Sequence, residues 1–287
     1  MSVLELRDVS YVYGEGTPFR KEALQNVSVS FEEGRVTGLI GHTGSGKSTL
    51  VQMLNGLIRP TSGTVLLDGQ DIWAEPKKIG AVRFRVGLVM QYPEYQLFDE
   101  TVRGDIGFGP RNMGLSDDEI RERVEEAIRF VGLGEDLLDQ SPFDLSGGQM
   151  RRVAIAGIIA MRPRVLVLDE PAAGLDPLGR REILGGLRRY QQEQKATVIL
   201  VSHSMEDMAA YCDDIIVMDH GSVLLSGDTP HVFAQRKILM DSGLDIPEIA
   251  HVAEHLRSRG FPLEGCLYTV DGVLDALLKL LEGGRMA

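Results

Sequence analysis

At 287 residues, with 43% apolar and 25% charged side chains, the chain has the make-up of an ordinary globular protein with room for one large domain and a smaller appendage. Its formal net charge of −12 argues against a general nucleic-acid-binding surface. No run approaches the roughly 18 apolar residues of a spanning helix, and Glu5, Arg7 and Asp8 interrupt any secretion-signal core near the N-terminus, so a cytosolic protein with Cys212 and Cys266 as reduced structural thiols is expected.

In chain order, Val3-Leu4-Glu5-Leu6 and Val27-Ser28-Val29-Ser30-Phe31 alternate apolar with polar and predict strands of an antiparallel layer covered on one face. Between them Tyr11 to Phe19 reads as an aromatic-bearing, turn-rich loop. Tyr11 and Tyr13 either pack on the sheet or offer a ring to a nucleobase. Arg35 to Ile40 predicts a short buried strand, and Ser48 to Leu57 a helix with Leu50, Met53, Leu54 and Leu57 at helical spacing.

Gly41-His42-Thr43-Gly44-Ser45-Gly46-Lys47-Ser48-Thr49 lies between them and satisfies G-x-x-x-x-G-K-S/T at every fixed position. Gly41, Gly44 and Gly46 let backbone N–H groups turn inward around a phosphate, and the helix behind presents its positive end to the same anion. Lys47 adds charge for the outer phosphates, and the Ser48 hydroxyl is placed for Mg²⁺. The loop alone does not separate a kinase, a GTPase and a transport ATPase.

Thr64 to Leu67 is a strand with a hairpin signal at Asp68-Gly69, and Val86 to Met90 another, ending at Gln91. By itself Gln91 reads as a loop residue at a strand end where α/β folds place ligand-facing groups. Leu97 to Gln140 is helical in texture: Ser116 and Glu119 make a capping box, and Ile120, Val124, Ile128 and Val131 form a stripe that Gly132 ends. Ser146 is placed to cap a helix with Met150, Val153, Ala154, Ile158 and Met161 as its apolar positions, and Gly147-Gly148 leave its first N–H groups bare as a second anion site.

Val165 to Leu168 predicts a central strand carrying Asp169 and Glu170 at its end, which alternation points to opposite sides. Asp169 fits the Mg²⁺ shell as a Walker-B carboxylate, and Glu170 fits the base that orients and deprotonates a water. After a tight loop at Ala172 to Pro177 come a helix over Leu178 to Gln194 and a strand over Thr197 to Ser202. His203, at the end of that strand, stands where a γ-phosphate sensor is needed.

The phosphate loop, Gln91, Leu145-Ser146-Gly147-Gly148-Gln149, Asp169-Glu170, Gly174-Leu175-Asp176 and His203 occur in the order of an ATP-binding cassette (ABC) ATPase, a resemblance covering residues 3 to about 235. It implies an α/β fold of the P-loop NTPase, ABC type, with an antiparallel β subdomain, a helical subdomain over about 92–160 and an α-rich C-terminal extension over 236–287. It also implies ATP as substrate and Mg²⁺ as cofactor. Tyr13 becomes the adenine stacker; Gly41 to Thr49 and Gln91 bind ATP; Ser48, Gln91 and Asp169 are the metal ligands; and Glu170, Lys47 and His203 do the catalysis. Two cassettes face head to tail, so Ser146, Gly147, Gly148, Gln149 and Asp176 serve the partner's nucleotide. Ala172 departs from the hydroxyl residue common at the start of that last loop.

A narrower match, in Gly16 to Phe19, Gln91 to Phe98, Phe108 to Gly114 and Ser141 to Asp144, is similar to energy-coupling factor transporters, second ATPase subunit, in the branch related to cobalt and nickel importers. That implies a heterodimer with a paralogous ATPase on the cytoplasmic face of the membrane. It also implies a transmembrane T subunit over residues near Gln91 to Glu100 and substrate-binding membrane S subunits for a vitamin or metal ion. Beyond residue 236, Ile249, Val252, Ala253 and Leu256, then Val273, Leu274, Leu277, Leu278 and Leu281 before Gly283-Gly284, predict two amphipathic helices that contact the other ATPase. The alternative of a non-transport cassette in DNA repair or on the ribosome is disfavoured by the lack of a heptad run or a repeated phosphate loop. A small-molecule kinase leaves Ser146 to Gln149 without a role.

Overall fold

The structure, a computed structural model, describes residues 1–265 and 267–283; Cys266 and the expected stop at Gly284 lie outside them. Strands β1 (Ser2–Tyr13) and β2 (Lys21–Glu32) form the antiparallel layer with β4 (Ser62–Leu67) and β5 (Gln70–Asp71), in the order β2-β1-β4-β5. β1 is longer than its alternation suggested. A register shift between Leu6 and Val9, with Asp8 at φ 49, moves the buried face by one residue, so Leu4, Leu6 and Val9 all point inward. Tyr11 to Tyr13 therefore continue the strand and pair with Leu24, Glu22 and Lys21, and the loop shrinks to residues 14–20. The Asp68-Gly69 hairpin has the two positive φ values, 51 and 74, of a two-residue turn.

The second sheet runs β10-β9-β3-β8-β7-β6, from β3 (Val36–Ile40), β6 (Val86–Val89), β7 (Val165–Asp169), β8 (Thr197–Val201), β9 (Asp214–Asp219) and β10 (Ser222–Asp228). All its pairings are parallel except β9 with β10. Both faces are covered. On β7, Val165 and Val167 enter the core shared with the antiparallel layer, and Leu166 and Leu168 the core shared with the helices. That double burial is why the strand reads as an unbroken apolar run.

Helix α1 (Lys47–Leu54) stops a turn earlier than its leucine spacing suggested. Gly56 at φ 68 ends it, the Leu57 N–H returns to the Gln52 carbonyl, and Leu57 is left 41% exposed. After α2 (Ile79–Arg85) and β6 come α3 (Val102–Asn112), α4 (Asp117–Phe130) and α5 (Gly147–Ile159), inserted between two adjacent parallel strands. The Ser116–Glu119 box caps α4, with Val124 and Ile128 fully buried. On α5 the buried positions are Val153, Ala154, Ile155, Ala156 and Ile159, whereas Met150 and Ile158 are only partly covered; Arg151 is buried among them.

Helices α6 (Pro177–Gln194), α7 (Met205–Tyr211), α8 (Thr229–Ala234), α9 (Arg236–Asp241), α10 (Glu248–Ser258) and α11 (Val270–Gly283) complete the described residues. Leu239, Ile246 and Ala250 join the helix-side core. α10 buries Ala250 and Ala253 and leaves Val252 49% exposed, while α11 buries Val273 and exposes Leu274, Leu278 and Leu281. Among the described residues, no helix is long and apolar enough to cross a membrane.

Candidate functional site: a phosphate cleft

The C-terminal ends of β3, β6, β7 and β8 meet at one cleft of about 300 Å³. The loop after β3 closes its floor. Gly46 has φ 103, and a Cβ there would lie 2.7 Å from the Ala23 carbonyl oxygen, so only glycine fits between the loop and β2. It is also the N-cap of α1 and brings no side chain to the cap, which leaves first-turn N–H groups free for an anion. Lys47 is buried, and its Nζ donates to the carbonyls of Gly41 at 2.7 Å and His42 at 3.0 Å. Burial lowers its pKa, against the pull of Asp169 and Glu170.

Asp169 ends β7, and Glu170 then takes φ 52, leaving the extended conformation. This corrects the expectation from alternation: both carboxylates line the same cleft. Their environments differ. Burial raises the Asp169 pKa, opposed by a hydrogen bond with the Ser48 hydroxyl and by the Lys47 charge. Glu170 is pushed up to about 7 by burial and then by the Asp169 charge. Its Oε1 is buried without a hydrogen-bond partner among the described residues, 3.6 Å from His203 Nε2. His203 is held below the ordinary histidine value by burial and by Lys47.

Of the residues expected from sequence, Tyr13, Thr43, Gly44, Gly46, Lys47, Ser48, Thr49, Gln91, Asp169, Glu170 and His203 line the cleft. The Tyr13 hydroxyl lies 3.2 Å from Thr49 Oγ1, and its ring meets Tyr11 edge-on at 4.7 Å. Gly41, His42 and Ser45 do not line it; Ser45 is fully buried, and the His42 ring turns to Asp219. Lys21, Ala23 and Val201 line it without having been singled out, because only pairing across the sheets brings them there.

Ser146, Gly147, Gly148, Gln149 and Asp176 do not line this cleft either. Ser146 and Gln149 form a reciprocal cap on α5, with the Ser146 N–H donating to Gln149 Oε1 at 3.0 Å. Among the described residues a Cβ on Gly147 would meet nothing within 4 Å, so their packing does not require glycine there. Asp176 caps α6 by accepting from the Gly179 N–H at 3.0 Å. The guanidinium of Arg151, one turn into α5, pairs through two hydrogen bonds with Glu94 at 3.1 and 3.0 Å and also donates to the Ala173 carbonyl.

A phosphate cradle, a buried cation, a hydroxyl–carboxylate pair and a second carboxylate with a free oxygen form the set needed to transfer a phosphoryl group to water. The ABC transporter family profile matches residues 24–173. The chain belongs to the ABC transporter family. It is 49% identical to the energy-coupling factor transporter ATP-binding protein EcfA2 of Clostridium acetobutylicum over 98% of this chain and 99% of that one. To EcfA2 of Symbiobacterium thermophilum it is 50% identical over 97% and 96% of the two chains. Among solved structures, cbiO1 of Clostridium perfringens, part of the ABC transporter complex cbiONQ, superposes with a TM-score of 0.75 at 41% identity over 88% of this chain and 99% of that one. The cassette MJ0796, in a dimeric post-hydrolysis state bound to ADP and Pi, superposes at 0.72 with 28% identity over 79% and 98%. ABC ATPases bind and hydrolyse ATP.

Proposed function

We propose that the chain is the ATP-hydrolysing subunit of an energy-coupling factor importer, working as one half of a head-to-tail ATPase pair. The observation that carries this reading is the separation of Ser146 to Gln149 from the chain's own phosphate cleft, together with a glycine at 147 that opens onto free space. Bare N–H groups at a capped helix start suit an anion, and a partner's ATP supplies one. Ser146, Gly147, Gly148, Gln149 and Asp176 are the groups we assign to it. The relatives named EcfA2 and the cbiONQ complex support the transport setting, and we assign the cytoplasmic membrane face as the place of work.

Within the cleft we assign adenine stacking to Tyr13, phosphate binding to the loop from Gly41 to Thr49, and γ-phosphate contact to His203. Ser48, Asp169 and Gln91 offer hydroxyl, carboxylate and amide oxygens, a hard donor set that fits Mg²⁺ with the rest of its shell left to phosphate and water. Bound Mg²⁺ supplies neutralising charge at the β and γ phosphates. Lys47 adds to that charge. Glu170, with a pKa near 7, takes the proton of a water held against its unpartnered Oε1.

Two surfaces suit the partners. Tyr95, Phe98 and Phe108 are 85%, 59% and 44% exposed. The last two border a mainly apolar groove of about 260 Å³ between α3 and α5, where we place a helix of the transmembrane T subunit. The S subunits would then carry the vitamin or metal ion. Residues 236–287 form, in this reading, the extension that meets the paralogous ATPase through Leu274, Leu278 and Leu281, which are 51%, 46% and 67% exposed along one face of α11. Leu274→Glu with Leu278→Glu is expected to weaken that pairing at least tenfold with the fold intact, read by light scattering of the mixed subunits; unchanged pairing rejects the role of α11. The function itself is tested by purifying the tagged chain from solubilised membranes. A second cassette and a membrane subunit are expected with it, and full ATP turnover by the strictly monomeric chain overturns the proposal.

A further inference from the structure

Outside the lining of the cleft, the phosphate loop packs against the hairpin joining β9 to β10. A Cβ on Gly41 would lie 2.3 Å from the Met218 carbonyl oxygen, and the Gly221 N–H donates to the Ser45 carbonyl at 3.0 Å. This close fit brings His42 beside Asp219 and His220. His42 Nε2 is 2.9 Å from Asp219 Oδ1, His220 Nε2 is 3.8 Å from the same oxygen, and the two imidazole rings are 5.1 Å apart. One ligand atom from each residue lies within 4.8 Å of the others.

The bonding of His42 favours a ligating role. Its Nδ1 lies 2.8 Å from the Thr43 carbonyl oxygen, which can only accept. Which ring nitrogen donates depends on the tautomer, and the tautomer with its N–H on the Thr43 carbonyl leaves Nε2 free as a metal ligand beside Asp219. A hydrogen bond from Nδ1 to a backbone carbonyl is the usual way a ligating histidine is held with Nε2 free for metal. Metal bonds of about 2.0–2.2 Å ask for ligand atoms roughly 3–4 Å apart, which the exposed His220 ring reaches by a small turn.

We infer that His42, Asp219 and His220 form a binding site for a divalent transition-metal ion of the Zn²⁺ type, distinct from the Mg²⁺ position in the cleft. Two imidazoles and one carboxylate select such an ion over Mg²⁺ or Ca²⁺, which prefer all-oxygen shells. The bound ion fastens the phosphate loop to the β9–β10 hairpin. Its ligands sit on a hydrogen-bonded turn and a strand end, so the site needs little ordering.

The test is titration of the purified full chain with Zn²⁺ in nucleotide-free, Mg²⁺-free buffer, read by calorimetry and by the rise in melting temperature. His220→Asn removes one ligand and keeps the turn, because asparagine tolerates the left-handed φ of 44 that His220 adopts. One strong site is expected in the parent chain. It should weaken at least about tenfold in His220→Asn and in Asp219→Asn, since even losing an outer partner of a metal site costs 10–100-fold. It should be unchanged in Asp169→Asn, which alters the cleft, and in His251→Asn, which alters the separate His251–Asp245 pair. Equal titration of the parent and His220→Asn chains, loss of the site in Asp169→Asn alone, or no strong site in the parent overturns the inference and leaves His42 as a plain partner of Asp219.

Discussion

Glu170→Gln is expected to lower ATP turnover about 10²–10⁴-fold, measured as phosphate release at saturating ATP by the assembled subunits, while ATP binding persists. Glutamine keeps the shape of the side chain and cannot accept a proton. The size follows from the environment: burial and the neighbouring Asp169 bring the Glu170 carboxyl to about 7, close to working pH, where a general base is most effective. Lys47→Ala separates the two stages of the reaction. It removes the buried ammonium beside the phosphate loop, so it should abolish nucleotide affinity in an equilibrium binding assay before chemistry is reached. Turnover at the parent rate in Glu170→Gln would show that another group takes the proton.

Arg151→Ala is expected to destabilise the chain by about 3–5 kcal/mol, read from the urea midpoint, because it strands the Glu94 carboxylate without its partner. Arg151 and Glu94 side chains are only 6% and 15% exposed, so the charge left behind has little water to turn to. Burial pushes the Glu94 pKa up, but the Arg151 hydrogen bond and charge outweigh it and hold the carboxyl below its ordinary value. The sign follows for acid. The pair contributes fully above the unfolded carboxyl value near 4.5 and loses its contribution as pH falls through the lower folded value. In Arg151→Ala that part of the acid sensitivity should disappear. Converting the pair to Met and Leu together should recover much of the loss. A loss below about 1 kcal/mol would class the pair with solvent-screened surface pairs. Because the same guanidinium reaches the Ala173 carbonyl, it joins three segments: the turn after Gln91, helix α5 and the loop after Glu170.

Local chemistry was legible wherever a motif is contiguous. The loop from Gly41 to Thr49 reads as a phosphate cradle because strand, glycines, lysine and helix start are adjacent in the chain, and the caps at Ser116 and Ser146 reach only three residues ahead. Alternation misled in two places, each for one reason: a residue in left-handed backbone resets the period. Asp8 did so within β1, where the strand continues past the shift, and Glu170 did so at the end of β7, where two carboxylates come to share a cleft. The apolar positions of α5 announce the helix, but the buried Arg151 among them gives no signal, since a charge inside a helical stripe looks like an interruption until its partner is known.

The amino-acid order by itself determined what each segment is: a doubly covered parallel strand by its unbroken apolar run, a phosphate loop by its glycines and lysine, a helix start by its serine. Only the tertiary structure decided which segments are neighbours. The sheet order β10-β9-β3-β8-β7-β6 sets Asp219 against His42 across 177 residues, and the packing of α5 carries Arg151 to Glu94 across 57. The physical reason is that side-chain period and capping act over a few residues, whereas strand order and burial are settled by the whole chain sharing its cores.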